Sequence, residues 1–148
     1  MSKNAQILLE NLIEQEFQGN ESYGNISDYF EFFSASQILK NQGLSDDEIE
    51  NGIVGKGLDG GCERVYLFLN NLLIVEHISA PKDSILELII IQSKKTTSFG
   101  EDAIMKWKTV SSNLLDLSNT ITDFSTRYNA DVLEAFTTFR DTYTKLIT

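Results

Sequence analysis

The chain has very few of the residues that form cross-links or histidine metal sites. Its 148 residues include one cysteine, one proline and one histidine. The single cysteine, Cys62, excludes an intramolecular disulfide, and the single histidine, His77, excludes a zinc site built from several histidines. The sequence therefore predicts a fold that is held by its hydrophobic core in a reducing compartment, the cytoplasm.

Long apolar runs are also missing. The longest one, Leu86 to Ile91, is interrupted by Glu87 and is far shorter than the roughly 20 residues that cross a bilayer. The sequence thus predicts that this is not a membrane protein. Because 41% of its residues are hydrophobic, the chain has the size and apolar content of one ordinary domain, and we expect a single folded unit over residues 1–148.

Positive charge is scarce, with 12 Lys and Arg against 22 Asp and Glu. The resulting formal charge of −10 repels a nucleic-acid backbone unless the field is reversed locally. Four lysines near the last predicted strand and in the helix after it would make the field locally positive: Lys94, Lys95, Lys106 and Lys108. Lys95, Lys106 and Lys108 are candidate nucleic-acid contacts, and the alternative is an ordinary solvated helix surface.

The spacing of apolar residues predicts helices in the first third of the chain. Ala5 to Phe17 repeats at helical spacing, with charge on the opposite side. A second helix is predicted to begin at Asp28 as N-cap, with Glu31 three residues later completing a capping box. Ser45 with Glu48 repeats the capping-box pattern and predicts one further helical turn.

Strand signals follow a glycine-rich stretch, residues 52–61. Strand-forming residues run from Val65 to Leu69. Asn70-Asn71 predicts a tight hairpin turn, since asparagine tolerates positive φ, and Leu72 to Glu76 is expected to return beside the first strand. The branched apolar run Leu86 to Ile91 predicts a third strand that is covered on both faces and is therefore central in the sheet.

Three amphipathic helices are predicted after the strands. They correspond to the apolar registers Phe99 to Leu117, Ile121 to Tyr128, and Val132 to Leu146. The order of elements predicts the α/β (α+β) class, with a central mixed sheet of about three to four strands flanked by helices and additional C-terminal helices.

The last helical pattern reaches the end of the chain without a stop signal. We therefore expect the chain to be a fragment of a longer protein. Missing residues, or a second copy of the chain in a homodimer, would cover the surplus apolar area of the last helices.

Two polar residues are predicted at the end of the third strand. Because side chains alternate along a strand, Gln92 and Lys94 are expected on the same face. An amide and an amine at the end of a buried strand need partners, and Asp59 and Glu63 supply carboxylates beside the glycines. The alternatives are a solvated strand-end pair for Gln92 and Lys94, a turn role for Asp59, and a salt bridge between Glu63 and Arg64.

Carboxylate, amide oxygen and lysine together suit metal-dependent phosphodiester hydrolysis. A divalent cation neutralises phosphate oxygens and lowers the pKa of an attacking water. Glu63, the side-chain oxygen of Gln92 and the main-chain carbonyl of Ser93 are candidate ligands of Mg²⁺ or Mn²⁺, and Asp59 is a further one. Lys94 would orient the water or stabilise the developing charge.

These residues also resemble known family patterns. Three motifs are similar to the PD-(D/E)xK nucleases of the Mrr-like type: Phe30-Glu31-x-Phe33, Asp59-Gly60-Gly61-x-Glu63 and Gln92-x-Lys94. Further segments resemble the N-terminal region of AIPR proteins, the abortive-infection phage-resistance family: Asp46-Asp47-Glu48-Ile49, Gly52-Ile53-Val54, Tyr66-Leu67-Phe68 and Ile91-Gln92-Ser93-Lys94 leading into Ser98-Phe99. The resemblance spans roughly Tyr29 to Leu117 and implies a restriction-endonuclease-like core.

The resemblance implies a divalent-metal-dependent nuclease domain of a bacterial anti-phage protein, acting on DNA, with RNA as the alternative. AIPR proteins are longer than this chain, so it implies an isolated N-terminal domain whose partner is the remainder of the full-length protein. It also implies a metal role for Glu31, at the position of a helical glutamate that assists the metal in related nucleases. The alternative for Glu31 is the capping box.

The chain departs from the family pattern at the predicted metal site. The family has aspartate and then glycine where this sequence has Glu63 and Arg64. Because productive sites tolerate displacements of only about 0.5 Å, a longer carboxylate changes the geometry. The second hypothesis is therefore a catalytically inactive nuclease-like fold that acts as a sensing or assembly module in phage defence.

Overall fold

The computed structural model describes residues 2–20, 22–55, 57–74, 80–94 and 100–148. These residues form two compact units, the first comprising residues up to 50 with Ser93 and Lys94, and the second comprising Asn51–Gln92 and the residues from 100 onward. His77, Lys95 and the Ser98-Phe99 pair of the sequence predictions lie outside the described residues. Among the helices in the described ranges, none combines the length and apolar composition that crossing a membrane requires.

The first unit contains three helices: α1 (Lys3–Gln18), α2 (Ile26–Ile38) and α3 (Asp46–Glu50). Aromatic rings hold α1 and α2 together, with Tyr29 at 6.0 Å from Phe17 and 5.4 Å from Tyr23 between ring centroids. The Tyr29 hydroxyl donates to Glu16 at 2.9 Å. Burial, aided by Glu16, raises the pKa of Tyr29 to about 12.

Helix α2 begins earlier than the sequence pattern predicted. Its N-cap is Asn25, whose side-chain oxygen accepts from the Asp28 N–H at 2.9 Å. The predicted capping box of Asp28 and Glu31 is wrong, because Asn25 caps equally well and leaves Asp28 in the first turn, where a carboxylate also favours the helix dipole. The Ser45–Glu48 box at α3 is confirmed by reciprocal hydrogen bonds of 3.2 and 3.1 Å.

The second unit contains a sheet of β1 (Arg64–Leu69), β2 (Leu72–Leu73) and β3 (Leu86–Ile91). The order is β2-β1-β3, and both pairings are antiparallel. The α+β class with a three-stranded sheet flanked by helices is confirmed. The pairing differs from the mixed sheet that the sequence predicted, since no described strand runs parallel to its neighbour.

The hairpin between β1 and β2 is confirmed. Asn70 and Asn71 have φ values of 50° and 66°, and Leu69 pairs with Leu72 across the turn. This is the two-residue turn whose twist matches that of the flanking strands. The predicted return strand to Glu76 is described only over Leu72–Leu73, because residues 75–79 lie outside the described ranges.

The central strand is β1 rather than β3. All six residues of β1 are buried, whereas β3 has one buried residue and is paired on one side within the described strands. The predicted central position of β3 is therefore wrong. A short branched apolar run is equally compatible with a strand that is half-buried against helices, so composition alone could not decide this.

Helices cover the sheet from the C-terminal half of the second unit. They are α4 (Asp102–Leu114), a short 3-10 helix (Ile121–Phe124) and α5 (Ala130–Ile147). Their buried side chains meet the sheet in one core: Val54, Cys62, Val65, Val110, Leu114, Tyr128, Val132 and Phe136. The α-helix predicted over Ile121 to Tyr128 is wrong, since the segment forms only a 3-10 helix over Ile121–Phe124. It follows a turn in which the Ser118 hydroxyl donates to Asp116 at 2.6 Å.

Candidate functional site

The candidate residues Glu63 and Gln92 lie at one end of the β1–β3 ladder. The last pair of this ladder is Arg64 with Ile91, so Glu63 and Gln92 each lie one residue beyond it on neighbouring chain segments. Both are half-buried. The antiparallel register therefore brings these two sequence-predicted residues to the same end of the β1–β3 ladder.

Gln92 and Lys94 both lie beyond strand β3, which ends at Ile91. Their expected position on one strand face therefore stays a prediction. Lys94 is exposed and belongs to the first unit, as does Glu31, which is half-buried in α2. The predicted site residues therefore belong to two different units, with Asp59, Glu63 and Gln92 in the second one.

Asp59 shapes the turn that precedes β1. Its carboxylate Oδ1 accepts from the Gly61 N–H at 2.9 Å, and its main-chain carbonyl accepts from the Cys62 N–H at 3.0 Å. The turn role that was the alternative for Asp59 is confirmed. A metal-ligand role for this residue stays a prediction.

The two glycines after Asp59 let the turn approach α4 closely. A Cβ added at Gly60 would collide with Cγ2 of Val110, and the Gly61 carbonyl accepts from the Trp107 indole N–H at 2.7 Å. A Cβ at Gly61 would lie 3.1 Å from Cβ of Lys106 and 3.7 Å from Nε2 of Gln92. Gly61 therefore borders both Gln92 and a lysine of the same unit.

Asn129 fixes the rest of the glycine-rich stretch, and the sequence reasoning missed this role. Its side-chain amide donates to the carbonyls of Val54 at 2.8 Å and Gly57 at 2.9 Å. Its side-chain oxygen accepts from the Val132 N–H at 2.9 Å as the N-cap of α5. An asparagine just before an amphipathic pattern is a sequence signal for the cap, but not for the two distant carbonyls.

Cys62 and Arg64, on either side of Glu63, are both buried. Cys62 is 0% exposed. Burial, with a smaller effect of the Asp59 charge, raises the pKa of its thiol to about 12, so it is neutral at physiological pH and unsuited to act as a nucleophile. Arg64 is 3% exposed, and a guanidinium at that depth requires close anionic or carbonyl partners.

An open groove of about 460 Å³ runs between the glycine turn, α4 and the segment before α5. Its lining is mixed: Leu58, Asp59, Gly60, Gly61, Met105, Lys106, Thr109, Val110, Arg127 and Tyr128. Lys106 and Arg127 are exposed, and the Arg127 guanidinium lies 5.8 Å from the centre of the Tyr128 ring. Lys108, the other described lysine of α4, is exposed but does not line the groove.

The described ranges contain no group of three or more His, Cys, Asp or Glu side chains that could hold a metal ion. Glu31, Asp59 and Glu63 of the predicted ligand set are side chains of this kind, and they do not form such a group. Glu63 with amide and main-chain oxygens does not require one. No protein-family model, curated protein or solved structure matches the chain.

Proposed function

We propose that the chain carries a divalent-metal-dependent nuclease site that hydrolyses phosphodiester bonds of DNA in anti-phage defence of the abortive-infection type. One observation supports the site more than any other: Glu63 and Gln92 each lie one residue beyond the Arg64–Ile91 pair of β1 and β3. The defence role comes from the sequence resemblance. A cytoplasmic location, a longer parent protein and a homodimer remain predictions from the sequence.

The donor atoms suit a hard divalent cation. A carboxylate from Glu63 and an amide oxygen from Gln92 are ligands that Mg²⁺ and Mn²⁺ accept, with waters completing the shell. Asp59 is the next carboxylate along the chain, although its Oδ1 already accepts from Gly61. When bound, such a cation neutralises phosphate oxygens and lowers the pKa of its water.

Two lysines are candidates for the cationic role. The sequence motif assigns that role to Lys94, which follows Gln92 by two positions and is exposed. Lys106 belongs to the same unit as Gln92 and, like Gln92, borders Gly61. Replacing each lysine by alanine separately identifies which of them orients water or stabilises the transition state.

The test uses the purified full chain with plasmid DNA and, separately, RNA, in Mg²⁺, Mn²⁺ or EDTA. We expect metal-dependent cleavage that falls about 100-fold or more in Glu63→Ala and in Gln92→Ala, because each removes a metal contact. Glu134→Ala, an exposed carboxylate of α5, is the matched control and should cut like the wild type. If the wild type leaves DNA and RNA intact while a Glu63→Asp, Arg64→Gly double variant cuts them, the wild-type chain is not an active nuclease.

The second candidate function is that of a sensing or assembly module, a nuclease-like fold that is catalytically inactive. The burial of Arg64 at 3% exposure favours it, because a buried cation beside Glu63 competes electrostatically with a metal. Calorimetric titration with Mn²⁺ separates the two candidates. The module predicts no binding heat in wild type, whereas heat that disappears in Glu63→Ala, or cleavage that Lys94→Ala abolishes, contradicts it.

A further inference from the structure

We propose that the groove between the glycine turn and α4 binds an unpaired nucleic-acid strand. Lys106 and Arg127 contact its phosphates, and Leu58 and Met105 contact the face of a base. This inference rests on the proposed function for its choice of ligand. It adds the class of substrate and the path of the strand, which the predicted metal site does not specify.

The charges around the groove oppose those of the whole chain. The protein carries a formal charge of −10, yet the groove is lined by two cations and one carboxylate. That carboxylate, Asp59, already accepts a backbone hydrogen bond from Gly61. The charged residues that line the groove therefore sum to +1, opposite in sign to the whole protein.

Two large apolar side chains are displayed at the same groove. Leu58 is 63% exposed and Met105 is 59% exposed. Leu58 also has a φ of 50°, a left-handed conformation that is unfavourable for a non-glycine residue. A glycine would fit this backbone without strain, and residues held in such conformations cluster at ligand-binding sites.

Apolar side chains next to cations suit a single strand better than a duplex. In a duplex the base faces are stacked inside and only the edges are accessible, whereas an unpaired strand offers its faces to side chains. Gly61, which lines the groove, also borders Gln92, one residue of the proposed metal site.

The first test measures binding without cleavage. Fluorescence anisotropy with labelled oligothymidylate, oligouridylate and a duplex of equal length is recorded in EDTA over a salt series. We expect both single strands to bind more tightly than the duplex. In Lys106→Ala and in Arg127→Ala the slope of log K against log salt should fall by about 0.7, the value for one lost phosphate contact on a single strand. Lys145→Ala, an exposed lysine of α5, should leave the slope unchanged.

The second test removes the apolar contacts. Leu58→Gly relieves the positive-φ strain, so the fold should be kept, while oligothymidylate binding should weaken about fivefold, which corresponds to roughly 40 Å² of apolar area that is no longer buried. Met105→Ala should act likewise. Ile104→Ala, the neighbouring exposed side chain of α4 that does not line the groove, is the matched control and should bind like wild type.

The outcomes separate this inference from the nuclease proposal. Single-strand binding that the groove variants weaken supports the groove even if no substrate is cut, in which case only the nuclease proposal fails. Absence of oligonucleotide binding at low salt, equal binding of duplex and single strand, or an equal effect of Lys145→Ala overturns the groove. Metal-dependent cleavage that Leu58→Gly and Arg127→Ala leave intact also overturns it, while the nuclease proposal stands.

Discussion

At the scale of single residues, Asn129 connects the start of α5 to the glycine-rich stretch. One side chain caps the helix and also donates to the carbonyls of Val54 and Gly57. The sequence indicated a helix boundary at this position, because asparagine precedes an amphipathic pattern. It could not indicate the carbonyls, which lie 75 and 72 positions earlier in the chain and are determined by tertiary packing alone.

Replacing Asn129 separates these two roles. Asn129→Ala should lower the free energy of unfolding by about 2–4 kcal/mol, of which the cap contributes about 1 kcal/mol and each of the two lost hydrogen bonds about 0.5–1.5 kcal/mol. Asn129→Ser keeps a capping oxygen and should be about 1 kcal/mol more stable than the alanine variant. Urea denaturation followed by fluorescence measures both. Equal stability of the two variants would show that the cap contributes nothing.

At the scale of elements, the glycine turn before β1 packs closely against helix α4 because its glycines have no side chains. In the sequence these glycines lie between Asp59 and Glu63, the carboxylates of the predicted metal site. In the structure Gly60 faces Val110 and Tyr128 of the core. Packing therefore explains Gly60 without any ligand, whereas Gly61 borders Gln92 and Lys106 and lines the groove.

Two glycine variants distinguish close packing from backbone conformation. Gly60 and Gly57 both have positive φ, 64° and 80°, but a Cβ at Gly57 meets nothing within 4 Å. Gly57→Ala should cost about 1 kcal/mol of stability through strain alone. Gly60→Ala should cost about 3 kcal/mol, since overpacking adds about 1–3 kcal/mol. Chemical denaturation compares them, and a Gly60→Ala cost no larger than that of Gly57→Ala would contradict the close contact.

The sequence predicted correctly those elements that depend on interactions between residues close together in the chain. The Asn70-Asn71 turn and the Ser45–Glu48 capping box were correct, because each depends on neighbouring residues only. The position of β3 within the sheet was wrong, because it depends on which strands pair. The end of β3 at Ile91 likewise depends on its partner β1, and for this reason the sequence did not show that Gln92 and Lys94 lie beyond the strand.

At the scale of the whole molecule, the net charge does not show where the positive and negative side chains lie. A formal −10 argues against a polyanion ligand, and of the charged residues that line the groove the sequence singled out Lys106 and Asp59 but not Arg127. Arg127 lies 21 positions after Lys106 in the sequence, and no periodic pattern links the two. Only the fold of the second unit brings both cations to one groove, so the groove could not be predicted from sequence.

The second unit should also lose stability at alkaline pH because of Cys62. Its thiol has an ordinary pKa of 9.0 that burial raises to about 12, so between these values the unfolded chain releases a proton that the folded chain keeps. Stability from this group is complete below pH 9.0 and decreases as pH rises toward 12, with a slope of up to about 1.4 kcal/mol per pH unit. Cys62→Ala lacks this slope.

The measurement uses the one tryptophan of the chain, Trp107, which belongs to the second unit and reports its unfolding by fluorescence. Wild type and Cys62→Ala are denatured with urea over a pH series. Below pH 9.0 their difference in free energy of unfolding should be constant, which serves as the internal control. Above it, the advantage of the wild type should shrink by about 1.4 kcal/mol per pH unit. A difference that stays constant would mean that the Cys62 thiol ionises equally easily in the folded and the unfolded chain.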